Sequence, residues 1–195
     1  MNKTFRTQSG FTLVEVLVAI TLLLMVIVGP LQIISRTNNS TAFATEQMTA
    51  WFLAQEGLEM AQQARDSYLL KYFDKPDPPN DTPWASFSST TNAGDIYKPC
   101  FLSDGCNITL SSTGVATVTS CSGTACDLKL DTAGRMRYNT ATGNPTSPTF
   151  RRVIYMKEIG AGREVAATST VIWRTGSLIA GQKVETATSL FNLYR

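Results

Sequence analysis

The sequence predicts an α+β protein in which a long N-terminal helix packs on an antiparallel β-sheet head. Three features indicate this fold: an apolar stretch from Phe11 to Ile34, an amphipathic stretch after it, and strand-like segments from Cys106 onward. With 195 residues, 43% of them hydrophobic and 16% charged, the chain is long enough for one modest domain beyond a long helix. We therefore expect one head on one helical stem.

A polar leader, residues 1–10, precedes the apolar stretch and carries Lys3 and Arg6. Positive charge on this side favours retention of the leader in the cytoplasm. Residues 11–34 are long enough to cross a hydrocarbon core of about 30 Å at about 1.5 Å per residue. The sequence thus predicts a single-pass protein of the cytoplasmic (inner) membrane with an extracytoplasmic head.

One ionisable residue, Glu15, lies inside this apolar stretch. A carboxylate at membrane depth costs about 2.5–3.5 kcal/mol, so it needs a positive partner. A cut after Gly10 would supply one, because the new amino group of Phe11 lies one helical turn from Glu15. The pair can close within one subunit, as an i,i+4 pair on one helix face, or between neighbours, where it would set the axial register of one apolar helix against the next.

Residues 10–20 resemble the leader junction and methylation site of type IV prepilins and pseudopilins, through the run Gly10-Phe11-Thr12-Leu13-Val14-Glu15 and the apolar residues after it. The resemblance implies cleavage between Gly10 and Phe11 by a prepilin peptidase, N-methylation of Phe11, and a register-setting role for Glu15. It also implies a type IV pilin-like fold, and assembly with other pilin subunits by inner-membrane machinery into a pilus or pseudopilus at the cell surface.

Two other interpretations of the N-terminus fit less well. An ordinary secretory signal needs a short apolar core followed closely by a small-x-small cleavage site, and Ala42-Phe43-Ala44 lies well beyond Ile34. A plain membrane anchor explains neither Gly10 nor Glu15. The prepilin-like interpretation is therefore favoured.

The predicted stem helix occupies residues 35–73. Gly29-Pro30, before it, marks a bend or local melting rather than an end, since membrane helices absorb proline. Apolar residues then step by three or four, which predicts one helical face packed on a partner; they are Met48, Trp51, Ala54, Leu58, Ala61, Ala64, Tyr68 and Tyr72. Residues 54–66 and the chain end, 170–173 and 190–195, resemble minor pilins of the type IV pilus modification group.

A proline-rich loop is predicted at residues 74–99, because prolines at this density cannot continue a helix. Its carboxylates Asp74, Asp77 and Asp81 lack the spacing and glycine of a calcium loop. We expect no metal site there.

Residues 100–195 are predicted to form the β head. Segments 107–110 and 115–119 flank one turn, and 127–130 and 136–138 flank another, so both read as hairpins. Segments 149–159, 164–174 and 184–193 predict a three-stranded antiparallel meander. In its middle strand Val165, Ala167, Val171 and Trp173 alternate with Thr168, Thr170 and Arg174, which predicts one face on the stem and the other in water.

Four cysteines, Cys100, Cys106, Cys121 and Cys126, suggest two disulfides in an exported domain. If Ser112 faces Val115 across the hairpin turn, Cys106 lies opposite Cys121 and Cys100 close to Cys126, which favours nested pairing. Sequential pairing, Cys100 with Cys106 and Cys121 with Cys126, is the alternative. The gaps between the cysteines fit zinc poorly.

Composition argues against an enzyme. The chain has no histidine, which excludes catalytic triads that use imidazole and most zinc chemistry. It also has no phosphate-binding loop. We expect no cofactor. Residues 40–128 hold four basic and ten acidic side chains and residues 129–195 hold ten basic and four acidic ones, but the charges are scattered, so DNA binding is possible but unsupported.

The function predicted is that of a minor prepilin, a structural subunit of a type IV pilus. A type II secretion pseudopilin is the first alternative. A membrane-anchored binding module that does not assemble is the alternative from another class.

Overall fold

A computed structural model describes residues 10–72, 83–88, 96–110, 115–131, 137–139, 143–146, 148–159, 163–175 and 181–192. Its helices are α1 (Leu13–Tyr72), α2 (Pro83–Ser88) and the 3-10 helix η1 (Lys98–Phe101). Its strands are β1 (Cys106–Leu110), β2 (Ala116–Ser120), β3 (Lys129–Asp131), β4 (Arg137–Asn139), β5 (Asn144–Pro145), β6 (Arg151–Ile159), β7 (Glu164–Trp173) and β8 (Gln182–Phe191). The predicted α+β class, with a long N-terminal helix and an antiparallel sheet, is confirmed.

The chain divides into two units between Ala44 and Thr45, and α1 contributes to both. In the first unit every residue of α1 except Phe43 is exposed, and the mean hydropathy reaches 2.6 over 18 residues. The helix is thus long and apolar enough to cross a membrane. It stays α-helical through Pro30, so local melting at this proline, one of the two predicted outcomes, is not found.

In the second unit α1 packs on the sheet through small residues. Its buried positions are Ala50, Leu53, Ala54, Gly57, Ala61, Ala64 and Leu69, and those up to Ala64 recur every three or four residues along one face. The predicted stripe was right at Ala54, Ala61 and Ala64, and Leu58 is half-buried against the same core. It was wrong at Met48 and Trp51, which are 62% and 47% exposed. Small side chains let the helix backbone approach the sheet, so the buried face is rotated away from the largest apolar residues. The side chains of Tyr68 and Tyr72 lie outside the described residues.

The main sheet has five antiparallel strands in the order β2-β1-β6-β7-β8, and a small sheet has the order β4-β3-β5. Strands β6, β7 and β8 pair with their chain neighbours over nine and ten residues, which confirms the predicted meander. Both predicted hairpins are also present, as β1 with β2 and β3 with β4. Residues 160–162 and 176–180, which connect these strands, lie outside the described residues.

The inner face of β7 buries the predicted residues Val165, Ala167, Val171 and Trp173. The other face does not meet water throughout, because Thr170 is only 5% exposed. Val153, opposite Thr170 in β6, packs against Cys121 and Cys126. The segment containing these cysteines thus covers part of the outer face, a contact that the alternation of residues could not predict.

Part of the predicted loop 74–99 is helical. Within α2, Trp84 is 2% exposed and Phe87 fully buried, and both belong to the main core with Tyr97. Pro83, read as a helix breaker, occupies the first position of α2, where its missing N–H costs nothing. Asp74, Asp77 and Asp81 lie outside the described residues.

The disulfides join Cys100 to Cys106 and Cys121 to Cys126, with Cα separations of 4.5 and 5.1 Å. The favoured nested pairing was therefore wrong. Cys106 lies opposite Ser120 rather than Cys121, and a shift of one residue turns a strand's side chains to the opposite face. Cys106 consequently points into the main core, while Cys121 packs with Val153 on the outer face.

Candidate functional site

The predicted cleavage site lies just ahead of helix α1. Gly10 and Phe11 are non-helical and exposed, and α1 begins at Leu13. A Cβ built on Gly10 meets no atom within 4 Å. The Gly10–Phe11 peptide bond is therefore free of helical hydrogen bonding and open to an enzyme that needs an extended substrate backbone.

Thr12 caps the helix that follows. Its side-chain Oγ1 accepts a hydrogen bond from the Glu15 N–H at 3.3 Å, and its carbonyl accepts one from the Val16 N–H at 3.2 Å. Thr12 and Glu15 have the spacing of a capping box. Sequence reasoning treated Thr12 only as part of a resemblance, although the Thr-x-x-Glu spacing was the signal that could have identified it.

Glu15 lies in the first turn of α1, at the positive end of the helix dipole. The three predicted residues, Gly10, Phe11 and Glu15, lie within six consecutive positions at the N-terminal end of α1. Cleavage before Phe11 would add a positive amine to this end, where the dipole alone disfavours it. The Glu15 carboxylate, in the first turn of α1, would offset that charge.

Apolar side chains surround this end and continue along the helix. Phe11 is 82% exposed, and the large apolar residues from Leu13 to Ile34 are between 45% and 78% exposed. A soluble protein rarely leaves so large an apolar surface uncovered. An apolar surface of this size is typical of a helix that contacts lipid or other apolar helices.

Residues 5–29 match the family model of the prokaryotic N-terminal methylation motif. This methylation motif is a type IV prepilin-like signal, so it supports a precursor of a pilin-like or pseudopilin subunit, implies processing by a prepilin peptidase, and implies assembly with other pilins. Together with the apolar helix it favours a membrane-anchored protein with an extracellular head. No curated protein and no solved structure matches the chain.

A second cluster, which the sequence did not predict, joins α1 to the sheet. The guanidinium of Arg152 in β6 is fully buried and donates to Glu56 Oε2 at 2.8 Å and to the Leu53 carbonyl at 3.3 Å. It also donates to Asn107 Oδ1 in β1 at 2.8 Å and reaches Met60 Sδ at 3.4 Å. We call Arg152, Glu56, Asn107 and Met60 the Arg152 cluster.

Burial lowers the pKa of Arg152, because the interior disfavours the charged form, while the charge and hydrogen bond of Glu56 act in the opposite direction. An arginine nevertheless stays protonated at neutral pH. The cluster therefore holds a permanent cation between helix and sheet, with one carboxylate that is still 37% exposed. Its place is structural, since it contains no group poised to react.

Arg151, the neighbour of Arg152, holds the Cys121–Cys126 loop on the outer face. Its guanidinium donates to the Gly123 carbonyl and, at 2.7 Å, to the Cys121 carbonyl. It also pairs with Asp127 at 3.5 Å. Adjacent arginines in one strand thus serve opposite faces of the sheet, one fixing the stem and the other the disulfide loop.

Within the described residues, no group of three or more Cys, Asp or Glu side chains could hold a metal ion. The four cysteines are committed to disulfides, which also removes them as zinc ligands. The candidate functional site is the segment around Gly10, Phe11 and Glu15, which lies within the matched methylation motif.

Proposed function

We propose that the protein is the precursor of a minor pilin of a type IV pilus. In this proposal a prepilin peptidase cuts the Gly10–Phe11 bond, Phe11 is N-methylated, and the subunit joins other pilins through its apolar helix. The observation that carries the proposal is the methylation motif at residues 5–29, placed at the capped start of an exposed apolar helix.

The structure around the scissile bond supports the peptidase step. A protease must bind its substrate backbone in an extended form, and Gly10 and Phe11 are outside the helix. Thr12 stops the helix from extending toward the bond because it satisfies the Glu15 amide with its own side chain. Cleavage therefore needs no unwinding of α1.

Glu15 supports the assembly step. N-methylation keeps the amino group of Phe11 positive, so the mature end carries an amine beside a carboxylate in an apolar setting. The pairing of this amine with the Glu15 carboxylate of a neighbouring subunit would offset the cost of burying either charge. It would also fix how far one helix lies along the next, which apolar contacts alone leave undetermined.

We further propose that the protein is a substrate of enzymes and has no catalytic activity of its own. The absence of histidine from the whole sequence supports this. The Arg152 cluster fixes the helix to the sheet through the bonds of the Arg152 guanidinium and contains no hydroxyl, thiol or imidazole nucleophile.

The deciding experiment is the intact mass and N-terminal sequence of the protein recovered from cells that contain a prepilin peptidase. We expect a product that begins at methylated Phe11. A matched pair of variants separates the site from general effects: Gly10→Val should block cleavage because its branched side chain hinders approach to the bond, whereas Gly29→Ala should be cleaved normally.

The other outcomes are equally informative. An uncut chain beginning at Met1 would contradict the proposal and support a plain anchored module, and a start near Phe43 would indicate an ordinary secreted domain. After correct processing, loss of surface pili in a deletion strain supports the minor pilin, and loss of protein secretion with intact pili would identify a type II secretion pseudopilin instead.

A further inference from the structure

Strand β8 forms one edge of the main sheet and lacks the features that usually block an edge. Among the described residues it pairs with β7 alone, in a one-to-one register over ten positions that contains no bulge. It contains no proline. Natural sheets protect long edges with bulges, prolines or inward-pointing charges, because unpaired backbone groups there can pair with another chain. The opposite edge, β2, is protected by its length of only five residues.

The charges of β8 lie near its first residue and neutralise each other. Lys183 Nζ lies 2.5 Å from Glu185 Oε2, and both side chains are about half exposed. The remaining residues, 186–191, are uncharged, and Thr186 and Thr188 have the β-branched side chains that favour strands. This part of the edge therefore suits an uncharged partner strand.

The side of β8 that faces α1 is incompletely covered. The side chains of β7 on this face are buried; they are Val165, Ala167, Ser169, Val171 and Trp173. The residues paired with them in β8 are Leu190, Thr188, Thr186, Val184 and Gln182. Only Leu190 among these five is buried, and the other four are half-buried. The cover that α1 provides is therefore complete at β7 and partial at β8.

Thr186 also has a hydrogen-bonding group without a partner. Its Oγ1 atom is buried and makes no hydrogen bond within the part of the chain that the structure describes. The same holds for Oγ of Ser169, which lies opposite Thr186 in β7, so neither hydroxyl satisfies the other. A buried hydroxyl without a partner is unfavourable. A strand added beside β8 would place a side chain next to Thr186 on the same face.

We propose that β8 is a docking site for an extended segment of a different protein, which adds to the main sheet as a sixth strand. Unpaired N–H and C=O groups repeated along an edge are satisfied together only by another extended backbone. Strand β7 already pairs with β8, so it shows which side chains fit: apolar residues face α1, and Ser169 lies opposite Thr186. The occupant is thus an uncharged segment with apolar side chains at every second position and a hydroxyl or amide beside Thr186.

A second copy of β8 fits this edge less well. In the antiparallel pair of greatest overlap, centred on Ala187, Lys183 would face Phe191 of the other copy, and neither charge would meet an opposite charge. A pair centred on Val184 would join Lys183 to Glu185 of the other copy, but it would match only five residues of each strand. Self-pairing thus satisfies the length of the edge or its charges, but not both, which favours a different chain.

A fluorescein-labelled synthetic peptide with the sequence of β7, residues 164–173, is the probe. We expect saturable binding to the full-length protein in lipid nanodiscs, measured by fluorescence polarisation against empty nanodiscs. The matched control peptide is N-methylated at every second backbone nitrogen. It should bind at least about tenfold more weakly, because main-chain hydrogen bonds supply the affinity of an added strand. No saturable binding, or equal binding of the two peptides, would overturn the inference.

Two lysine substitutions at neighbouring positions locate the binding. Thr188→Lys should weaken peptide binding at least about tenfold, since its ammonium group can reach water past an open edge but is buried by an added strand. Ser189→Lys adds the same charge on the exposed face and should stay within about twofold of wild type. Equal binding by the two variants would contradict docking at β8.

Hydrogen exchange of the wild-type protein in nanodiscs gives a readout that needs no variant. Every second amide of an edge strand points away from the neighbouring strand, so alternate amides of residues 183–190 should exchange at least about tenfold faster than those between them. Saturating peptide should slow these amides. Uniform protection without peptide would overturn the inference, and protection that rises with protein concentration would assign the edge to a second copy instead. Neither measurement depends on cleavage or assembly, so a failure of the proposed function leaves both unaffected.

Discussion

Gly57 and Arg152 show how single residues set the fit between helix and sheet. A Cβ at Gly57 would lie 3.0 Å from Arg152 Cδ and 3.3 Å from Ser169 Cβ, and closer still to Ser169 Oγ. The helix approaches β6 and β7 so closely that this position tolerates only hydrogen. The same close approach places Glu56 within hydrogen-bond distance of the fully buried guanidinium of Arg152.

Gly57→Ala should lower the free energy of unfolding of the head by about 1–3 kcal/mol, because the added methyl overpacks a fixed contact. Gly29→Ala is the control, since a Cβ there meets nothing within 4 Å. Thermal unfolding of the full-length protein in detergent, followed by tryptophan fluorescence, compares the two. A Gly57→Ala protein as stable as Gly29→Ala would show that the helix can move away from the sheet at little cost.

Glu56→Gln should lower the free energy of unfolding by about 3 kcal/mol, because it leaves the buried Arg152 cation without its counter-charge. The double variant Glu56→Leu, Arg152→Met should regain most of this loss, since it removes both charges. Lys183→Gln is the matched control: it breaks an exposed ion pair with Glu185 and should cost under about 0.5 kcal/mol. Additive losses in the double variant would rule out coupling between Glu56 and Arg152.

At the scale of elements, the hairpin β1–β2 decides which cysteines can meet. The pair Leu110 and Ala116 opens its ladder and the pair Cys106 and Ser120 closes it. Each disulfide then joins residues within one local segment rather than across the hairpin. The first disulfide ties η1 to the start of β1, and the second closes the loop that Arg151 holds.

Replacing Cys121 and Cys126 together by serine should lower the free energy of unfolding by about 2 kcal/mol, as expected for a loop of this size. Peptide mapping without reduction checks the pairing itself. After cleavage at Leu110, sequential disulfides leave the fragments on either side unlinked, whereas nested disulfides would hold them together. Recovery of the Cys100 peptide joined to the Cys126 peptide would contradict the structure.

Sequence predicted elements whose evidence is local and periodic. The alternation in β7 predicted one face of the meander, and the apolar stretch after Gly10 predicted the first part of α1. The buried face of α1 was misjudged because large residues such as Trp51 were assumed to face inward, whereas close packing selected Ala50 and Gly57. The burial of Arg152 was not predicted, because a charged residue in a strand normally indicates a face exposed to solvent.

At the scale of the whole molecule, the two units use different parts of helix α1 in different ways. The first unit exposes an apolar surface with Glu15 near its end, and the second unit is a packed α+β head. The proposed function uses them separately, with assembly through the first and surface display through the second. A change in one should therefore leave the other intact.

Glu15→Ala should abolish or misregister filament assembly, because the apolar helices lose the charge pair that positions them. Membrane insertion, cleavage and head stability should stay normal. Electron microscopy of surface filaments, with the variant's membrane level measured alongside, provides the test, and Glu59→Ala on the exposed face of the packed half is the control. Normal filaments from Glu15→Ala would favour a tethered module over a pilin.

Under the proposed function the head is exported, and the sequential disulfides then bear on how it matures. Each cysteine meets a partner only five or six residues along the chain, so both bonds can form as soon as these short stretches leave the membrane. Neither needs β6, β7 or β8 to have arrived. The two disulfides can therefore form one after the other as the chain leaves the membrane. Few incorrect pairings then remain for a disulfide isomerase to correct.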